Sequence, residues 1–237
     1  MSWNLHWSEV GILDSNSEAL GVSTWQLMQE AAEHLANQAR KMLPEGGSVL
    51  ILCGPGNNGG DGFLAAANLF ENSFTESEKY DVCILASHET QKESSQNSIR
   101  AREWAIASGV HITPWYSGFV DSSGCASNSR TIGTFYPELI IDCLLGSGAG
   151  SSSSELRGNV SEMVDWLKEQ YWYSRCLTLA CDIPTGIGTE KCIIANSTIT
   201  FHSIKLGMTD SKGVAIEEVG DIIIAPLSFP EGVLNPG

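Results

Sequence analysis

The chain has 237 residues, 42% of them hydrophobic and 17% charged, a globular composition with room for one α/β domain and an ample core. Its 28 acidic and 13 basic residues leave a formal charge of −15, which argues against nucleic-acid and anionic-membrane binding, since both need a basic face. A phosphorylated ligand would have to be held mainly by backbone N–H groups, because few cationic side chains are available.

The opening residues, Met1-Ser2-Trp3-Asn4-Leu5-His6-Trp7, carry neither a basic leader nor an apolar run of signal or membrane length, so a cytoplasmic protein is expected. A helix is predicted over Thr24–Leu43, capped by Ser23 or Thr24. Strand-like Val49–Cys53 then runs into Gly54-Pro55-Gly56-Asn57-Asn58-Gly59-Gly60-Asp61-Gly62, and a second helix is expected over Asp61–Phe70. Further strands are predicted at Val82–Ala86, Leu139–Leu145, Leu177–Cys181, Thr198–Phe201 and Ile222–Ala225, with helices at Ser94–Ser108 and Gly158–Gln170. Several of the strands are apolar throughout, as parallel strands covered on both faces are. The serine-rich stretches Tyr116–Phe135 and Gly146–Ser154 read as loops. The alternation predicts a single domain over 1–237, a three-layer, Rossmann-like, doubly wound sheet that is mostly parallel.

The seven cysteines include no Cys-x-x-Cys pair, and Cys53, Cys83, Cys143 and Cys181 fall in or beside strand-like runs, so they read as reduced core residues. The five histidines are scattered and form no metal set with cysteine or carboxylate.

The loop after the first strand places five glycines in nine positions between a strand and a helix, the arrangement of an anion site. Glycines allow positive φ and close approach of a ligand to backbone N–H groups, and the helix N-terminus adds oriented donors. It is no P-loop, because Gly-Lys-Ser/Thr is missing, and it meets the dinucleotide fingerprint only loosely. A turn rich in Gly and Asn can exist simply because Asn tolerates the left-handed region, but such a turn needs two or three of these residues, not this many. Asn57, Asn58 and Asp61 therefore stand out as polar side chains in the turn.

Two further strands end in polar, glycine-containing turns: Ile140-Ile141-Asp142-Cys143-Leu144-Leu145-Gly146-Ser147-Gly148 and Leu179-Ala180-Cys181-Asp182-Ile183-Pro184-Thr185-Gly186. Ligands of open α/β sheets collect at these carboxyl ends. Asp142 and Asp182 lie in or at the end of apolar runs, where a carboxylate must be paired, hydrogen-bonded or bound to a cation. Each could instead be a structural aspartate capping the N–H groups of its own turn.

With these motifs, together with Leu27-Met28-Gln29-Glu30-Ala31-Ala32 and Thr198-Ile199-Thr200-Phe201 followed by Lys205 and Gly207, the chain resembles the NAD(P)H-hydrate epimerase family, the N-terminal domain type called YjeF. The motifs come in the family's order and span about residues 25 to 228. The resemblance implies an isomerase that interconverts the (R) and (S) epimers of NADHX and NADPHX, nicotinamide nucleotides carrying water on the dihydronicotinamide ring.

It implies that Asn57, Asn58, Gly59, Gly60 and Asp61 contact the substrate. Gly146, Ser147, Gly148, Ala149, Gly150, Ser151 and Ser152 would form a second binding loop. Asp182 would face the reacting ring as acid/base, with Lys205 orienting or neutralising it. One potassium ion would be held near Asn58, Asp142 and Thr185, with no redox cofactor. The family usually has Ser at 185, Thr at 147, Gly at 32 and Asp at 196. In this chain Thr185, Ser147, Ala32 and Asn196 stand there, and none of the changes removes an essential chemical group.

The resemblance further implies a functional partner, an ATP- or ADP-dependent NAD(P)H-hydrate dehydratase. The chain ends at Leu234-Asn235-Pro236-Gly237 without a second domain, so that partner is expected as a separate chain or beyond this end. Homodimers are common in the family. Two other readings stay open: an inactive domain of this type serving as a protein- or RNA-interaction scaffold, and another nucleotide enzyme such as a kinase or dehydrogenase. Titration with NADH against ATP separates the latter.

Overall fold

The computed structural model describes residues 16–71, 79–88, 95–115, 135–149 and 155–229. Seven strands, β1 (Gly46–Cys53), β2 (Lys79–Ala86), β3 (His111–Pro114), β4 (Leu139–Cys143), β5 (Leu177–Cys181), β6 (Ser197–Phe201) and β7 (Asp221–Ala225), make one sheet in the order β3-β2-β1-β4-β5-β6-β7. Every pairing is parallel, so the mostly parallel sheet expected from sequence is parallel throughout. The strand order reverses direction between β1 and β4, and in such sheets the crevice outside that point is where ligands bind.

Side-chain alternation builds the layers. Val49, Ile51 and Cys53 of β1 face a core shared with helices α1 (Thr24–Met42), α2 (Asn57–Glu71) and α3 (Gln96–Ala107). Leu50 and Leu52 face the opposite core, closed by α4 (Gly158–Glu169) and the short 3-10 turn Tyr173–Arg175. Helix α1 buries Leu27, Met28, Ala31, Ala32, Leu35, Ala36 and Ala39, a stripe at helical spacing, and the Ser23 hydroxyl caps it by accepting from Gln26 N. Burying α1's stripe is worth about 1.5–3 kcal/mol for each large side chain, and the alanines let it sit close to α2.

Three expectations are corrected. Helix α2 begins at Asn57 rather than Asp61, so the two asparagines form its first turn. The strand at 139 stops at Cys143, because the Asp142 carboxylate turns back to accept Leu144 N. Strand β3, a four-residue edge strand ending in Pro114 with little apolar content, escaped the sequence reading. The predicted loops Tyr116–Phe135 and Gly146–Ser154 lie largely outside the described residues, and Gly150, Ser151 and Ser152 lie wholly outside them.

Cys53, Cys83, Cys143 and Cys181 are buried free thiols on the strands. Burial pushes the Cys83 and Cys143 thiols up to about 12, far from thiolate character. Among the described residues no helix is long and apolar enough to cross a membrane.

Candidate active site

Four of the five glycines after β1, Gly54, Gly59, Gly60 and Gly62, serve packing. None of Gly54, Gly56, Gly59, Gly60 and Gly62 adopts positive φ. A Cβ on Gly54 would overlap the Leu144 carbonyl oxygen, and one on Gly59 would overlap the Gly54 carbonyl oxygen. At Gly60 it would meet the Met28 side chain. The loop is glycine-rich so that β1, the turn after β4 and the first turns of α2 can touch backbone to backbone. That close approach brings the first turn of α2, whose N–H groups have no partner within the helix, to the carboxyl edge of the sheet.

A cavity of about 560 Å³ opens there. Its polar wall includes Asn57, Asn58, Asp61, Ser147, Asp182 and Lys205, and Gly146 and Gly148 also border it. Gly59 and Gly60 are buried in the helix packing and are not in that wall. Ala149 closes the 3-10 turn Ser147–Ala149. Leu27, Met28 and Ala31 of α1 supply an apolar side, and Leu227 and Phe229, after β7, supply another.

Asp182 is the centre of the polar wall. It ends β5 at φ +67, a left-handed backbone that costs energy for a residue with a side chain, although aspartate tolerates it better than most. Its N–H donates to Ile199 O, which fixes that conformation. One carboxylate oxygen accepts from Ser147 N (2.7 Å) and the other faces Lys205 Nζ (2.9 Å). Burial pushes the Asp182 carboxyl up, but the Lys205 charge and the bonds from Ser147 and Lys205 outweigh it and hold the group below the usual carboxylate range. At neutral pH it is a carboxylate.

Lys205 is 2% exposed, so it is no solvated surface lysine. It reaches the pair from the loop after β6, and it also donates to Thr200 Oγ1 (2.9 Å) and Phe201 O (2.6 Å). Gly146 lies where it does because a side chain would be forced against Asp182 Oδ2 and the Asn58 amide.

Asp142 lies deeper and is fully buried. Its oxygens accept Thr185 N (2.7 Å), Thr185 Oγ1 (2.8 Å) and Leu144 N (3.2 Å), while Leu145 N donates to Thr185 Oγ1 (3.0 Å). Burial raises the Asp142 carboxyl to about 6, against the pull of the hydrogen bonds from Thr185 and Leu144. Thr185 is completely buried, so its methyl is accommodated while its hydroxyl does the bonding.

The Asn58 amide is buried with neither its oxygen nor its nitrogen partnered, and the Ser147 hydroxyl is likewise unpartnered. Buried polar atoms left so are unusual and point to a ligand or ion that completes them. Among the described residues no group of three or more His, Cys, Asp or Glu forms a metal cluster. Asn58, Asp142 and Thr185 are a different kind of set, made only of hard oxygen donors.

Asn57 spends its side-chain oxygen on Ser95 Oγ (2.6 Å), tying α2 to the cap of α3. Asn196 accepts Thr178 N (2.7 Å) and braces β5 against the turn before β6. Sequence reasoning missed His202, Leu227 and Phe229, all in the cavity wall. His202 directly follows the carboxyl end of β6, and that position was the available signal.

A doubly wound parallel sheet with a polar cleft at its switch point is a Rossmann-type fold, in which that cleft is where ligands bind. The chain belongs to the family described as YjeF-related protein N-terminus, whose family model matches residues 24–207. A protein of Rhodopirellula baltica named NAD(P)H-hydrate epimerase is 31% identical over 215 residues, covering 88% of this chain and 77% of that one. One of the same name from Clavibacter michiganensis subsp. michiganensis is 32% identical, covering 81% of this chain and 77% of that one.

A relative from Archaeoglobus fulgidus, named bifunctional NAD(P)H-hydrate repair enzyme Nnr, is 28% identical over 96% of this chain. The chain spans 42% of that protein's length. Among solved structures, the yeast protein ynu0 (YNL200c) superposes with a TM-score of 0.67 at 16% identity, over 86% of this chain and 82% of that one, and it shares the fold.

Proposed function

We propose that this chain is an NAD(P)H-hydrate epimerase, exchanging the (R) and (S) forms of NADHX and NADPHX. The observation that carries this reading is the ionised Asp182, held at positive φ between Ser147 N and Lys205 in the wall of the switch-point cavity. Epimerisation requires the hydroxyl to leave the carbon beside the ring nitrogen, whose lone pair then forms an iminium cation. Water returns to either face. A fixed carboxylate stabilises that developing positive charge, and because it is already oriented it needs no reorganisation. Lys205 keeps it ionised and fixed, and Ser147 N–H aims its second oxygen. The first-turn N–H groups of α2 suit the phosphates of such a nucleotide, in a chain with few cationic side chains.

A potassium ion fits the oxygen set of Asn58, Asp142 and Thr185. The unpartnered Asn58 oxygen is a ready ligand, and the buried Asp142 carboxylate gains a counter-charge. When bound, the ion supplies a fixed positive charge that neutralises Asp142 and stiffens the Leu144–Gly146 turn. Substrate contact falls to the residues of the cavity wall, Asn57, Asn58, Ser147, Asp182 and Lys205.

Relatives named bifunctional NAD(P)H-hydrate repair enzyme support a working partnership with an ATP- or ADP-dependent dehydratase. We place the protein in the cytoplasm and allow for a homodimer. The direct test supplies purified (R)-NADHX and follows the (S) form by chromatography. Acceleration over the spontaneous rate supports the reading, and a folded sample that gives none overturns it.

A further inference from the structure

The exchange needs a proton for the departing hydroxyl, and the Asp182–Lys205 pair is poorly placed to give it. Asp182 is ionised and both its oxygens are engaged. The three ammonium hydrogens of Lys205 face three acceptors, Asp182 Oδ1, Thr200 Oγ1 and Phe201 O. Another titratable side chain lines the same cavity, His202.

His202 leaves β6 at φ +69, and Asp182 is the other described non-glycine residue with positive φ. A left-handed backbone under a bulky side chain is strain, and strain of this kind gathers at functional sites. Its N–H donates to Ala225 O (3.1 Å), which fixes the turn. Its ring stands edge-on to Phe229, with centroids 5.1 Å apart and planes at 74°. Among the described residues neither ring nitrogen has a hydrogen-bond partner. The imidazole is thus held by packing in the cavity wall, with its proton-carrying atoms uncommitted.

We propose that His202 is a second catalytic residue, which protonates the departing hydroxyl and takes a proton back from the returning water. The inference rests on the epimerase reading. As the carbon–oxygen bond breaks, its electron pair goes to oxygen and the imidazolium proton joins it, so that water leaves. The ring nitrogen lone pair closes the iminium. A water oxygen then adds to the carbon and passes a proton to the neutral imidazole, which ends as it began. Nothing is oxidised or reduced.

Lys205, on its own loop, is the charge that acts on the ring, and Asp182 at the end of β5 and Asp61 on α2 line the same cavity. The 226–229 segment that carries Phe229 has no ionisable side chain and is anchored to α1 by Glu30 and His34. Burial first, and the Lys205 charge second, lower the His202 pKa. The imidazolium is therefore a stronger acid than a free one, and it forms only as pH falls below the ordinary histidine range.

The test is (R)-to-(S) exchange by wild type, His202→Gln and His202→Gly, with the spontaneous rate subtracted at each pH. His202→Gly relieves the positive φ, so a fall in its activity cannot be blamed on misfolding if its melting temperature matches or exceeds wild type. Both variants are expected to lose about a hundredfold in kcat with little change in KM. Wild-type kcat should rise as pH falls below the ordinary histidine value of about 6.5 while His202→Gln stays flat, and added imidazole should restore His202→Gly. Wild-type kcat and pH profile in both variants would overturn the role of His202 alone. An inactive wild type would overturn this role together with the epimerase reading.

Discussion

At the scale of single residues the site is organised by a buried ion pair. Asp182 and Lys205 are each nearly sealed from solvent, and such a pair is costly to break because the survivor is left charged and unpaired. Lys205→Met should therefore destabilise the fold by about 3 kcal/mol and raise the Asp182 pKa, which urea unfolding and a pH titration of activity would register. A stable variant with unaltered titration would contradict the pairing.

The depressed Asp182 pKa also sets a sign for pH. A carboxyl whose folded pKa lies below its unfolded value contributes stability that is present above the unfolded pKa and is lost as pH falls through the folded one. The stability gap between wild type and Asp182→Asn should be constant above about pH 5 and shrink below about pH 4. A gap that widens on acidification would reverse the assignment.

At the scale of elements, the β1 turn and the start of α2 hold the site together by close approach. Gly59→Ala should cost about 1–3 kcal/mol, since its methyl would collide with backbone at Gly54. Gly148→Ala, in open space at normal φ, should cost little, so the two urea midpoints compared in one experiment separate packing from composition. Equal midpoints would sink the packing explanation.

These same elements mark what the sequence could and could not reveal. The strands β1, β2, β4 and β5 were legible because both faces are buried and their runs are mostly apolar. Asp142 and Asp182 were legible as carboxylates inside such runs. The start of α2 was not, because Gly59 and Gly60 are poor helix formers and tertiary contact overrides their propensity. His202 was overlooked because its place after the carboxyl end of β6 was its one signal, and its role depends on Phe229, 27 positions later in the chain.

At the scale of the whole molecule, seven parallel strands bring turns from across the sequence, around 54–61, 144–148, 182–185 and 201–205, to one edge. Their loops supply two layers: an outer one of Asp182, Lys205 and Ser147, and an inner one of Asp142 and Thr185 under the Leu144–Gly146 turn. If potassium occupies the inner layer, it binds the folded state alone and raises its stability by mass action. Melting in potassium chloride should exceed melting in choline chloride at equal ionic strength, and Asp142→Asn should erase the difference. A difference that survives the substitution would place any ion elsewhere.

Whether the cleft built around Asp182 performs the epimer exchange is decided by comparing wild type with Asp182→Ala on purified (R)-NADHX. Wild type should accelerate appearance of the (S) form, and the folded variant should fall to the spontaneous rate. Equal acceleration by both proteins would contradict it, because the carboxylate at the end of β5 would then play no part in the chemistry.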